Sequence, residues 1–215
     1  MAGLLRANGS SLVSLSSTRR PPGLRGLRCL WLPAQIGAPE FTRQSPAMVY
    51  AAGAATIEDG PALSNIGAAA LAASVPYDAA YHPTAQITLW WYGRTSAGAG
   101  AAACLSARGS ANEGVGWYDS GGMTAFVYAG GFGIVSTGIS QAMAAPRHLA
   151  ITYDGTTVRA YVDGALSGTA TRGGPISYGN SGLRLGDYGD GMGSTAAAHL
   201  AAGVWARALS DGEVQ

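Results

Sequence analysis

Apolar and polar positions alternate along this chain with a period of two. In Gln86–Tyr92 (QITLWWY), Ile87, Leu89 and Trp91 share one face, while Thr88, Trp90 and Tyr92 share the other. Large side chains on both faces predict a strand that is covered on both sides. In Arg147–Tyr153 (RHLAITY), Leu149, Ile151 and Tyr153 alternate with His148, Ala150 and Thr152. Asp154-Gly155 follows, then Thr157–Val162 (TVRAYV), then Asp163-Gly164. Asp-Gly between alternating segments is a strong hairpin signal, because both residues tolerate positive φ. Two tight turns therefore predict a three-stranded meander across residues 147–170.

Further strands are predicted at Arg28–Leu32, Met48–Ala51, Ala68–Ser74, Ala101–Ala107, Gly114–Tyr118, Thr124–Tyr128, Gly133–Thr137, Leu183–Leu185 and His199–Arg207. Short strands every ~8–12 residues with Gly-rich turns between them predict an all-β sandwich. Ala68–Ala70 and Ala196–Ala198 have helical propensity, but both runs are short and adjoin strand patterns, so they are assigned to sheet. One helical turn is predicted at Ser210–Gln215, with Ser210 as N-cap and Glu213 completing a capping box.

Composition explains the punctuation and adds a boundary. The 33 glycines supply turns that need a residue without a Cβ penalty. Charged residues are 12% of the chain, about half the usual share. Mean hydropathy is +0.14, yet no run approaches the ~20 apolar residues of a membrane-spanning helix. A net charge of +1 excludes a globally basic nucleic-acid binder. All 13 basic residues are arginine, and five of them (Arg6, Arg19, Arg20, Arg25 and Arg28) precede the first acid, Glu40. Beyond residue 28, eight arginines face twelve acids, a net charge of −4. Arg19-Arg20-Pro21-Pro22-Gly23 breaks regular structure, so residues 1–23 are expected to form an extended basic arm and residues 24–215 one compact domain. The arm shares the Arg-rich, Ser-rich, acid-poor bias of transit peptides but has no amphipathic period, and it lacks the apolar core of a secretory signal. Cys29 and Cys104, far apart in different predicted strands, are expected as buried thiols.

The meander Arg147–Leu166, RHLAITYDGTTVRAYVDGAL, resembles the concanavalin A-like, laminin-G-like jelly roll. In that family a W/R-H-x-A-x-T-Y-D-G strand leads into x-x-x-Y-V-D-G. Gly182–Gly186 (GLRLG) is similar to the family's next strand, and Leu200–Val214 (LAAGVWARALSDGEV) to its closing strand and cap. Gly26–Pro33 and Ala85–Trp91 sit where its early strands fall. The resemblance implies a two-sheet antiparallel jelly-roll sandwich over about residues 24–215, with the arm outside it. One departure is Ala201-Ala202-Gly203, where the family usually carries an acid.

Candidate chemistry is sparse. Some members of this superfamily are glycoside hydrolases, which need two carboxylates flanking the bond. Among the glutamates Glu40, Glu58, Glu113 and Glu213, only Glu213 has an acid at i±2, Asp211, and that pair lies in the cap. His82, His148 and His199 show no zinc spacing, and the Gly-rich stretches lack the context of a phosphate loop. Relatives bind Ca²⁺, for which Asp119, Asp187 and Asp190 are the candidate ligands. Asp beside Gly is ordinary turn chemistry, so no metal or cofactor is expected. Trp117, Tyr118 and Tyr188 adjoin Gly-rich turns and are the candidates for stacking on a sugar. Trp31, Trp91 and Trp205 are assigned to the core.

The family's W-x-R-A-L-S-x-x-E ending, here Trp205–Glu213, also occurs in tailed-bacteriophage virions. The resemblance and the arm together lead to an expected non-enzymatic structural virion protein, decorating a capsid or associated with a tail or fibre. It would dock through Arg6, Arg19, Arg20, Arg25 and Arg28 on an acidic partner, the arm ordering on contact. The expected partners are other virion proteins in a homo-oligomeric or multi-copy assembly, without direct nucleic acid or membrane. Its expected location is the virion, assembled in the host cytoplasm. The alternative is a carbohydrate-binding, lectin-like adhesion module, and a glycoside hydrolase is the remote one.

Overall fold

The computed structural model describes residues 25–31, 49–50, 53–57, 60–64, 73–96, 103–108, 112–119, 121–140, 142–180, 182–187 and 197–215. For residues 29–31, 49–50, 53–57, 60–64, 103–104 and 119 it describes only the backbone. Fifteen strands and one helix lie within these residues: β1 (Leu27–Trp31), β2 (Val49–Tyr50), β3 (Gly53–Ile57), β4 (Gly60–Ser64), β5 (Ala73–Val75), β6 (Ile87–Thr95), β7 (Ala103–Ala107), β8 (Val115–Asp119), β9 (Met123–Tyr128), β10 (Phe132–Ser136), β11 (Arg147–Tyr153), β12 (Thr157–Val162), β13 (Ala165–Thr171), β14 (Leu183–Leu185), β15 (Ala197–Trp205) and α1 (Asp211–Val214).

The strands form two antiparallel sheets. The back sheet runs β13-β12-β11-β6-β15-β4-β3, with β1 also pairing with β15, and the front sheet runs β10-β9-β8-β7-β14-β5-β2. This is the two-sheet sandwich that the alternation and turn spacing predict. The meander appears at its predicted limits, with β11 lying between β6 and β12 in continuous register. Its second turn is the two-residue kind, with Asp163 at φ 49° and Gly164 at φ 82°. Its first is longer than expected: Asp154, Gly155 and Thr156 all lie between the strands. The Asp154 carboxylate organises that loop, accepting from Thr156 N at 3.0 Å, Thr157 N at 2.8 Å and Arg159 Nη1 at 2.6 Å. β3 and β4 were not predicted. Their sequences, GAATI and GPALS, are rich in small residues and contain a proline, which a strand near a sheet edge tolerates.

The side chains between the sheets include Ile87, Leu89, Trp91, Trp117, Leu149, Ile151, Tyr153 and Val204, all at 1% exposure or less. Burying a large apolar side chain of this kind contributes roughly 1.5–3 kcal/mol. β6 is covered on both faces, as its pattern predicts. Trp90 and Tyr92 join Ala150, Tyr161, Ala201, Trp205, Leu209 and Val214 in a second cluster on the outer side of the back sheet. The C-terminal cap closes this cluster. Ser210 and Glu213 form the expected capping box, and Arg207 grips the Glu213 carboxylate with two nitrogens at 2.7 and 2.6 Å. Tyr161 Oη donates to Asp211 Oδ1 at 2.7 Å. The outer side of the back sheet is therefore occupied by the chain itself.

Candidate functional site

The outer side of the front sheet has a different composition. In β9, Met123, Ala125 and Val127 enter the core, which turns Thr124, Phe126 and Tyr128 outward. The same alternation turns Tyr118 of β8 outward and Trp117 inward. Cross-strand partners place Ile134, Phe126, Gly116, Ser106, Arg184 and Ser74 in one continuous row across six strands. The row is apolar and aromatic at the β10 end and polar at the β14 end, and Gly116 separates the two. A Cβ on Gly116 would lie 2.8 Å from Leu105 O and from Ser106 Cα, so only glycine permits this close strand contact.

Around Phe126 the rings form an edge-to-face chain. Tyr118 lies 5.6 Å from Phe126, Phe126 lies 6.1 Å from Phe132, and Phe132 lies 5.1 Å from Tyr128, all T-shaped. Such pairs contribute about 0.5–1.5 kcal/mol each beyond area burial. The Arg108 guanidinium lies 5.7 Å from the Phe126 ring centre and 5.6 Å from that of Phe132, within cation–π range. Phe126 is wholly buried, whereas Tyr118, Tyr128 and Phe132 are partly exposed. Burial pushes the Tyr118 phenol above its ordinary value, with Arg108 opposing, so at neutral pH it keeps its proton and can donate a hydrogen bond. At the polar end, Arg184 Nη1 bonds Asp187 Oδ2 at 2.7 Å, and Ser106 Oγ donates to Asp187 O at 2.9 Å. Ring edges beside hydroxyl, guanidinium and carboxylate groups suit a ligand with an apolar face and a polar rim.

An open groove of about 690 Å³ lies at one end of the sandwich, lined by Ile139, Met143 and Pro146 and rimmed by Arg147 and Asp163. Those two residues form an ion pair, and Asp163 Oδ1 also accepts from His148 N at 3.0 Å. Among the described residues, Asp163 is the one carboxylate lining the groove. Asp211 and Glu213, the acids at hydrolase-like spacing, are engaged by Tyr161 and Arg207 in the cap.

The sequence candidates that lie among the described residues are not brought together. Trp117 is corrected as a stacking residue, because it is 0% exposed and faces the opposite sheet. Its Nε1 finds no acceptor among the described residues. Tyr118, its neighbour in sequence, is on the opposite side of the strand and belongs to the aromatic face. Asp187 is salt-bridged to Arg184, and among the described residues no group of three His, Cys, Asp or Glu side chains is placed to hold a metal. Tyr188, Asp190, Arg6, Arg19 and Arg20 lie outside the described residues, as does the side chain of Asp119. Arg25 and Arg28 are exposed at the start of β1, where Arg25 O accepts from Arg207 Nε at 2.7 Å. The sequence reading missed Arg108, Phe126, Tyr128 and Phe132. The available signal was the alternation in MTAFVY, which puts the larger aromatics on the face opposite Met123 and Val127.

Residues 70–215 match the laminin G-like family described as the concanavalin A-like lectin/glucanases superfamily. No curated protein sequence matches the chain. Among solved structures, domain 4 of AbnA, a GH43 extracellular arabinanase from Geobacillus stearothermophilus in complex with arabinotriose, is similar with a TM-score of 0.69 at 12% identity. That match covers 87% of this chain and 96% of the other. The Ruminococcus gnavus IT-sialidase CBM40 bound to α2,3-sialyllactose is similar with a TM-score of 0.52 at 14% identity, over 66% of this chain and 90% of the other. Trypanosoma rangeli sialidase in complex with sialic acid has a TM-score of 0.63 at 16% identity, and there the match covers 88% of this chain but 32% of the enzyme. At these identities the likeness is one of fold.

Proposed function

Since the chain belongs to the concanavalin A-like lectin/glucanases superfamily, we propose that it is a non-catalytic, glycan-binding adhesion module whose binding face is the outer side of the front sheet. The observation that carries this reading is the arrangement around Gly116. Tyr118, Tyr128 and Phe132 offer partly exposed rings on one side, and the paired Arg184 and Asp187, partly exposed, offer polar groups on the other. A pyranose has matching chemistry, with apolar C–H faces and a hydroxyl rim. Two of the similar folds are described as complexes with arabinotriose and with sialyllactose, which supports the same reading. The non-catalytic part rests on the described acids: among the described residues the groove is lined by a single carboxylate, and the paired acids of the cap are held by structural partners. The test is a glycan array probed with the full chain, with and without Ca²⁺. Binding is expected, and Tyr118→Ala with Phe132→Ala should weaken it at least tenfold, equivalent to about 1.4 kcal/mol. An array blank under both conditions would rule the reading out.

A second reading is favoured by the charge distribution. Five arginines and no acid precede residue 29, while the rest of the chain is net negative. In this reading the module is a structural component of a virion, and the basic arm docks it on an acidic neighbouring protein while the sandwich faces outward. Glycan binding and docking are compatible, because they use different parts of the chain.

A further inference from the structure

Phe132, one of the partly exposed rings of the front sheet, sits in the sequence Gly130-Gly131-Phe132-Gly133. Its chain neighbours have no side chains to pack against it, and glycine leaves the backbone around it free to turn. A ring in this setting needs anchors from elsewhere in the fold to hold one orientation. Two arginines from different strands reach it, one at its backbone and one at its ring.

The backbone anchor is Arg172, one residue past β13 in the back sheet. Its Nε donates to Phe132 O at 2.6 Å. The side chain passes Gly133 closely: a Cβ there would lie 2.9 Å from Arg172 Cγ and 2.8 Å from Val158 Cγ2, so the missing side chain makes room for the arginine. Arg172 is itself fixed to the meander, since its N donates to Thr156 O at 2.8 Å and its O accepts from Tyr153 Oη at 3.0 Å. The ring anchor is Arg108, just past β7, whose guanidinium lies 5.6 Å from the Phe132 ring centre. β8 and β9 separate β7 from β10, so this side chain crosses β8 to reach Phe132. Val115 and Trp117 point into the core there, which leaves Gly114 and Gly116 as the outward positions along the path. Arg108 is only 4% exposed, and cation–π attraction is strongest for a cation withdrawn from water.

We propose that Arg108 and Arg172 are positioning residues of the binding face, which together set the Phe132 ring in one orientation toward a ligand. Arg172 fixes where the ring is attached, and Arg108 fixes its tilt. The setting passes to the neighbouring rings, because Phe132 meets Tyr128 at 5.1 Å and Phe126 at 6.1 Å. A platform ordered before binding spares the ligand the entropy of immobilising it, and the gain appears as affinity. The proposal rests on the reading of this face as glycan-binding. It adds that the face is pre-set by the fold, and that the back sheet takes part in setting it through Arg172.

Aromatic NMR of the full chain, with the Phe132 ring assigned through Phe132→Leu, reads the positioning without a ligand. Arg172→Ala and Arg108→Met should each weaken the cross-relaxation between Phe132 and Tyr128, while the methyl signals of the core residues Val127 and Ile151 stay in place. Arg108→Lys, which keeps the charge, should restore part of the contact. Arg172 is exposed, so Arg172→Ala carries the test if Arg108→Met does not fold. On a glycan that the wild type binds, each variant should lose about fivefold in affinity. In a Phe132→Ala background the same substitutions should cost nothing further, because they act through that ring. Unchanged Phe132–Tyr128 contacts in a chain that binds glycan, or affinity losses that add to that of Phe132→Ala, would overturn the positioning alone. A blank glycan array would overturn the binding face and the proposal with it.

Discussion

Burial sets the protonation state of His199. Trp91 Nε1 donates to His199 Nδ1 at 3.0 Å, so the neutral ring carries its proton on Nε2, which has no acceptor among the described residues. Desolvation lowers the His199 pKa to about 3. A histidine shifted this way binds its proton more readily in the unfolded chain. Its contribution to stability is therefore complete above about pH 6.5 and is lost as pH falls toward 3, with a limiting slope of about 1.4 kcal/mol per pH unit. Thermal melts of the wild type should drop between pH 7 and pH 5, and His199→Gln, which retains an acceptor for Trp91, should flatten that drop. An unchanged slope would show that another group is responsible. Asp154 shows the opposite balance. Burial acts to raise its carboxyl, but Arg159 and the donors of Thr156 and Thr157 outweigh burial and hold it well below the usual range. The sequence signals Asp154 as a turn residue; its four donors become visible only when β12 folds back beside it.

At the scale of elements, the cap is the feature most legible in sequence and also the one with the clearest energetic role. Ser210 and Glu213 make the capping box that their spacing predicts, while Arg207 reaches Glu213 from the end of β15. Leu209 and Val214 are thereby seated over Trp90, Tyr161 and Trp205. The Arg207 hydrogen bonds, then those from Ser210, hold the Glu213 carboxyl down to about 2. A depressed carboxyl stabilises the fold above its unfolded pKa and loses that contribution as pH falls. Glu213→Gln should therefore cost about 1 kcal/mol at neutral pH, in the range of a lost helix cap. The difference from wild type should vanish between about pH 4.5 and 2 in urea titrations. Equal stability of the two proteins at pH 7 would show that the cap does not clamp the back sheet. The strands β3 and β4 were not legible, because small residues carry little alternation and their pairing with β15 supplies the order instead.

For the whole molecule, charge and apolar surface are distributed unequally. The outer side of the back sheet is covered by the cap, and the outer side of the front sheet presents partly exposed rings beside the Arg184–Asp187 pair. If the arm is what docks the module on a virion, deleting residues 1–23 should abolish co-purification with the particle while leaving the melting temperature and glycan binding unchanged. Particle association that survives the deletion would remove the docking reading. Local physics in the sequence was enough to determine the meander strands, the Asp163-Gly164 turn and the cap, because alternation, an Asp-Gly pair and a Ser–Glu spacing act over a few residues. Only the tertiary structure decided which face of each strand is functional. In GWYD, adjacent Trp117 and Tyr118 are equally good strand residues, and alternation alone cannot say which one faces the core. Pairing β8 between β7 and β9 turns Trp117 inward and Tyr118 outward. The same pairing extends the row through Gly116 across six strands, with β14 and β5 joining the consecutive β7–β10 from elsewhere in the chain. These outcomes depend on register and sheet order, which arise from contacts between segments far apart in the chain.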